Sequence, residues 1–294
     1  MHLLITDSGV GGLSVCAYAE EFLRMHDIGE PVTLTYVNAS PENDFGYNSM
    51  ASRKEKLENF DRFLHIVAKK FSPDLIYVAC NTLSVLMADT DFAKNTTLPM
   101  RGIVETGVNL LVRDLREFPD STVAIFGTQT TIDEQTYSDH LKQKGIDESR
   151  IIAQACPSLA DTISEDLHGL DAQTKINEYV AEAVRKSLLP TTHHLTYLAC
   201  THYGYRKDFF AAAFEKHEVH TQIFNPNEIV VEDLFVSSGL YEIKSGQESA
   251  VDVEFVTRYR IPETALETIS FFLGGIAPRT IQAFTNYTYL PELF

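Results

Sequence analysis

Basic residues are scarce in this chain. Its 294 residues hold 24 Lys and Arg against 41 Asp and Glu, a net charge of −17 at pH 7. Non-specific nucleic-acid binding needs a basic footprint, so nucleic acid is not an expected partner. Cysteine is sparse too, and four in a chain this long do not make a disulfide scaffold. No C-x-x-C or H-x-x-x-H spacing accompanies those cysteines or His193, His194 and His202. A metal site is therefore not expected. No apolar run approaches the ~18 residues of a membrane span. The opening Met1-His2-Leu3-Leu4-Ile5-Thr6-Asp7 has neither the basic n-region nor the long apolar h-region of a secretory signal. These absences give the expectation of a cytoplasmic protein with no membrane partner, whose thiols stay free in a reducing compartment.

What is present is a chain that can bury a sizeable core, with 44% hydrophobic residues. Short apolar runs alternate with longer amphipathic segments, the pattern of an α/β protein. Strands are expected at 3–6, 32–37, 75–79, 101–104, 122–126, 150–155, 195–199, 220–224 and 253–257. A helix is expected near 12–26 and another near 50–71. In the second, Leu57, Phe60, Leu64, Val67 and Phe71 recur at spacings of three and four, and Pro73 should end it. Residues 38–48, rich in Asn, Pro, Asp and Gly, read as a loop.

Two cysteines stand in near-matching frames. Val78-Ala79-Cys80-Asn81-Thr82 and Leu198-Ala199-Cys200-Thr201-His202 each follow an apolar strand and precede small polar residues. Ligands of open α/β sheets bind outside the carboxyl ends of strands, where both thiols fall. A lone cysteine of this kind reads as a small buried apolar group, but two such frames suggest a pair of acid/base groups serving one substrate. The helix N-terminus after Cys80 is expected to lower its thiol pKa. Cys16, inside a helix pattern, reads as core, and Cys156-Pro157 lacks the polar followers. Asp7-Ser8-Gly9-Val10-Gly11-Gly12 is either a plain glycine-rich strand-to-helix turn or a loop presenting Asp7, Ser8 and backbone N–H groups to a small anion. Its spacing matches neither G-x-G-x-x-G nor a P-loop.

Four of these segments together resemble the signatures of bacterial glutamate racemase, of the cofactor-independent aspartate/glutamate racemase superfamily. They are Asp7-Ser8-Gly9-Val10-Gly11-Gly12-Leu13-Ser14, Ala79-Cys80-Asn81-Thr82, Gly102-Ile103-Val104-Glu105 and Cys200-Thr201-His202-Tyr203. Gly127-Thr128-Gln129-Thr130-Thr131 is similar to the family's threonine-bearing loop. The resemblance runs from residue 3 to about Gly275. It implies an α/β fold of two pseudo-symmetric doubly wound domains with mainly parallel sheets and a cleft between them. Domains of 1–98 plus 205–294 and of 99–204 are expected. It also implies an isomerase that interconverts L- and D-glutamate for peptidoglycan synthesis without a cofactor. One cysteine thiolate removes the α-proton and the other thiol reprotonates the opposite face, Cys80 acting on the D- and Cys200 on the L-enantiomer. Asp7 and His202 would assist the two thiols. Ser8, Phe45, Gly46, Asn81, Thr82, Thr131 and Thr201 would hold the amino-acid substrate.

The chain departs from the family where substrate is recognised. An Asp-Thr-x-x-x-Pro-Tyr-Gly loop becomes Ala39-Ser40-Pro41-Glu42-Asn43-Asp44-Phe45-Gly46, so Asp44 and Phe45 replace proline and tyrosine. Cys-Thr-His-Tyr-Pro becomes Cys200-Thr201-His202-Tyr203-Gly204. An acidic residue after the Cys-Pro motif would fall near Ser164 or Glu165. Another racemase, isomerase or decarboxylase of the superfamily, acting for example on aspartate, and a non-catalytic amino-acid-binding protein are the alternatives. Residues 276–294 extend beyond the resemblance and either pack on their own domain or form a contact in a homodimer.

Overall fold

A computed structural model describes residues 1–42, 46–186, 193–236 and 243–294. The chain forms two compact units, Met1–Ile103 with Asn227–Phe294, and Val104–Pro226. The first unit begins with β1 (His2–Asp7), β2 (Val32–Asn38), β3 (Leu75–Val78) and β4 (Met100–Gly102). The second contains β5 (Thr122–Gly127), β6 (Ile151–Ala155), β7 (His194–Ala199) and β8 (Thr221–Phe224). The chain then returns to the first unit with β9 (Val251–Thr257) and β10 (Thr288–Tyr289). The strand orders are β10-β9-β2-β1-β3-β4 and β6-β5-β7-β8, and the described pairings in both sheets are parallel.

The same order is thus used twice. Taking four strands of each unit in sequence, both run second, first, third, fourth. In such a sheet the connection from the first strand to the second runs one way and that from the second to the third runs back past the first, and a crevice opens at the carboxyl ends between the first and third strands. That switch point lies between β1 and β3 in the first unit and between β5 and β7 in the second.

Parallel strands are covered on both faces, which is why the strands are apolar almost throughout. Leu3, Leu4 and Ile5 of β1, and Val123, Ala124, Ile125 and Phe126 of β5, are all buried. The helix α1 (Leu13–Met25) follows β1, and α2 (Arg53–Phe71) follows β2. Ser52 caps α2 by accepting the Glu55 N–H, while the Glu55 carboxylate takes the Ala51 N–H at 3.0 Å. This puts 50–52 outside the helix, where a helical start near 50 was expected. Its buried stripe is Phe60, Phe63, Leu64 and Val67. Burial of each contributes about 1.5–3 kcal/mol before entropy is counted. Ser72 ends the helix in a left-handed conformation (φ 46°), one residue ahead of Pro73. The strand expected at 101–104 stops at Gly102, because Ile103 already begins the helix Ile103–Glu117.

Two further differences concern domain limits. Residues 205–226 lie in the second unit, not the first, since β8 is paired along β7 (His194 with Thr221, Tyr197 with Phe224). The first unit extends to Ile103, beyond the expected limit at 98. The tail packs on its own unit. β10 pairs with β9, Leu293 is fully buried, and the Phe294 ring lies 5.5 Å from that of Phe63. The helix Pro278–Thr285 is anchored by Glu20 of α1, whose buried carboxylate accepts the N–H groups of Arg279 (3.0 Å) and Thr280 (2.7 Å).

Candidate active site

In the first unit the register of β1 on β3 pairs Thr6 with Val78, and the Ala79 N–H donates to the Thr6 carbonyl at 2.8 Å. Two residues further along each chain are Ser8 and Cys80, and their Oγ and Sγ atoms lie 3.0 Å apart. Asp7, at the last position of β1, is buried. The glycines behind it do not adopt left-handed backbone. At Gly12 the reason for glycine is space: a Cβ there would stand 2.7 Å from the Asp7 Cβ and Oδ2 and 3.0 Å from the Ala79 Cβ. The loop is pinned from the sheet side by Tyr36, whose hydroxyl donates to the Gly9 carbonyl at 2.7 Å.

Cys80 is the N-cap residue of the short helix α3 (Asn81–Met87). Cys80 is 5% exposed, and Asn81 and Thr82 beside it are buried. Burial, followed by the charge of Asp7, pushes the Cys80 thiol up to about 12, while hydrogen bonds from Ser8 and the Leu83 backbone pull it down by less. This overturns the expectation of a depressed thiol pKa. One short helix end does not outweigh removal of the sulfur from water beside a carboxylate, so Cys80 rests as the neutral thiol.

The second unit repeats the geometry with different groups. β5 and β7 end level, Gly127 opposite Ala199, so the next residues are Thr128 and Cys200. Thr128 caps the short helix Gln129–Asp133, and its hydroxyl lies 3.0 Å from that of Thr131. Thr131, Thr201 and Cys200 are buried. The Cys200 sulfur lies 3.9 Å from His202 Nδ1. Burial lowers the His202 pKa to about 4, so near neutral pH the ring is an uncharged imidazole. Tyr203 secures the turn by donating its hydroxyl to the Cys156 carbonyl at 3.2 Å.

The remaining expectations divide. Cys16 is buried inside α1, as a core residue would be. Cys156 is buried with its thiol pKa pushed up by desolvation, and its carbonyl serves Tyr203. Gly46 is partly exposed, whereas Asp44 and Phe45 lie outside the described residues. Glu165 is exposed at the end of the helix Leu159–Glu165. Among the described residues no group of three His, Cys, Asp or Glu side chains could hold a metal ion.

Two residues escaped the sequence reasoning. Asn225, buried just past β8, packs its amide against Gly204, where an added Cβ would meet it at 2.4–2.7 Å. This close approach accounts for glycine at position 204; the signal available was Asn225-Pro226-Asn227 at a strand end. Tyr47 lies in the same buried cluster as Cys80. No sequence signal separates it from an ordinary core tyrosine.

No family model matches the chain. It is 27% identical to the glutamate racemase of Persephonella marina over 213 residues, 71% of this chain and 73% of that protein. To the glutamate racemase of Nitratiruptor sp. it is 26% identical over 244 residues, 82% and 85% of the two chains. Among solved structures, Bacillus anthracis glutamate racemase RacE1 superposes with a TM-score of 0.71 at 18% identity, covering 94% of both chains. Campylobacter jejuni glutamate racemase gives 0.69 at 20% identity, over 93% of this chain and 98% of that one. At such identities the superpositions establish a common fold of two parallel-sheet, doubly wound α/β domains.

Proposed function

We infer that this chain, which sequence relatives and fold neighbours alike tie to the aspartate/glutamate racemase superfamily, is a cofactor-independent amino-acid racemase with glutamate as its first substrate. One observation carries the inference. Each unit places a buried cysteine just past the third strand of the same strand order, with a proton-bearing or proton-accepting side chain within reach: Ser8 at Cys80 and His202 at Cys200.

The protonation states suggest how the chemistry runs. Cys200 gives its proton to the neutral His202 imidazole, and the resulting thiolate removes the α-proton of the L-amino acid. The carbanion takes the proton of the Cys80 thiol on its opposite face. Cys80 is then a thiolate beside Asp7, a like-charge arrangement that favours recovery of a proton. Ser8, Phe45, Gly46, Asn81, Thr82, Thr131 and Thr201 hold the substrate's carboxylates and amino group, and donors among them stabilise the developing negative charge. The D-glutamate product serves peptidoglycan synthesis in the cytoplasm. No helix among the described residues is long and apolar enough to cross a membrane.

Proton NMR in D2O tests the proposal. Loss of the α-proton signal from L- and D-glutamate is expected. Exchange confined to aspartate moves the assignment to an aspartate racemase. Absence of exchange on both enantiomers of both amino acids refutes racemisation, and calorimetric binding without exchange identifies a non-catalytic binding protein.

A further inference from the structure

Tyr47 is 1% exposed, yet its hydroxyl has no hydrogen-bond partner among the described residues. Leaving a buried hydroxyl unmatched costs about 1–3 kcal/mol. The position is well defined. Tyr47 opens the 3-10 turn Tyr47–Ser49, the Met50 N–H donates to its carbonyl, and its ring meets Phe60 edge-on at 6.3 Å. It shares one buried cluster with Ala39, Val78, Leu83 and Cys80. Phenylalanine would fill that space without the penalty, so the hydroxyl calls for a use.

We propose that Tyr47 is a positioning residue for the Cys80 half of the reaction, its buried hydroxyl donating a hydrogen bond to the Cys80 sulfur when that thiol ionises. The purpose of this bond rests on the racemase reading, but its chemistry does not. The two groups are electrostatically linked, since an ionised Cys80 disfavours loss of the phenol proton. Among the described residues, the titratable groups that act on Cys80 and Tyr47 from the packed elements are Asp7 on β1 and these two residues themselves. Asp7 opposes the thiolate and Ser8 supports it. A second donor lets a sulfur so strongly held as a thiol become a thiolate within a catalytic cycle. No covalent bond changes at the phenol.

The test follows iodoacetamide alkylation of Cys80 by peptide-resolved mass spectrometry as a function of pH, in the whole protein without substrate. Tyr47→Phe should move the alkylation midpoint to higher pH and slow the reaction about tenfold at a fixed pH, the effect of one charge-assisted hydrogen bond. Its melting temperature should stay level or rise, since an unmatched polar group is removed. Site-specific 3-fluorotyrosine at position 47, a stronger donor, should shift the midpoint the opposite way. Superimposable Cys80 profiles for wild type and both variants overturn the proposal, as does a large loss of stability in Tyr47→Phe with an unchanged profile. A shifted profile in a protein that exchanges no α-proton keeps the Tyr47 assignment and removes only the racemase reading.

Discussion

His202 makes acid sensitivity a quantitative expectation. Its pKa falls from 6.5 to about 4 because the ring is buried. In the unfolded chain the imidazole binds a proton as pH drops through 6.5; in the folded protein it does so only near 4. Between these values the unfolded state holds more protons, so stability declines as pH falls. The contribution is complete above about pH 6.5 and gone below about 4. Each pKa unit corresponds to about 1.36 kcal/mol, so the drop from this one side chain is on the order of 3 kcal/mol. Urea denaturation from pH 4 to 8 should show this slope in the wild type. His202→Gln, which cannot titrate, should flatten it by on the order of 1 kcal/mol per pH unit. An NMR titration of the His202 ring supplies the direct check. Parallel stability profiles for the two proteins, or a His202 midpoint near 6.5, would refute the reasoning and with it the neutral imidazole assigned to Cys200.

Other expectations follow from single contacts. Gly12→Ala should lower stability by about 1–2 kcal/mol in urea titrations, because overlap with Asp7 and Ala79 (a cost of about 1–3 kcal/mol) exceeds the ~0.4–1 kcal/mol gained from a stiffer unfolded chain; an unchanged or raised midpoint contradicts the packing. Glu20→Ala should cost about 3 kcal/mol or more by leaving two backbone N–H groups of the tail helix unmatched in a buried site, and Glu20→Gln distinctly less; equal losses in thermal melts would show that the hydrogen bonds do not matter. Cys80→Ala and Cys200→Ala should each reduce glutamate racemisation to background in a polarimetric assay. Substantial activity surviving either change eliminates the two-thiol mechanism.

Much of this protein is legible in its sequence, for local reasons. A strand covered on both faces needs an apolar run, so β1, β3, β5 and β7 are visible without coordinates. The stripe of α2 reflects helical period. Cys80 and Cys200 stand out because a cysteine just past an apolar strand followed by small polar residues is a short-range pattern that occurs twice. The scarcity of basic charge and the absence of metal-ligand spacing are likewise properties of composition and order.

What tertiary structure decided depends on groups far apart in the chain. The pKa of Cys80 is set by burial and by Asp7, 73 residues upstream, so reasoning from its helix terminus alone gave the wrong direction. The need for glycine at 12 and 204 comes from Asp7 and Asn225 pressing against them, not from backbone conformation. Residues 205–226 belong to the second unit because β8 finds its hydrogen-bond partner in β7. The tail lies on its own unit because Glu20 caps its helix and β9 accepts its last strand. Short-range pattern selects the elements and marks the two thiols; desolvation, charge and steric fit, which exist only once the chain has closed on itself, set how those thiols behave.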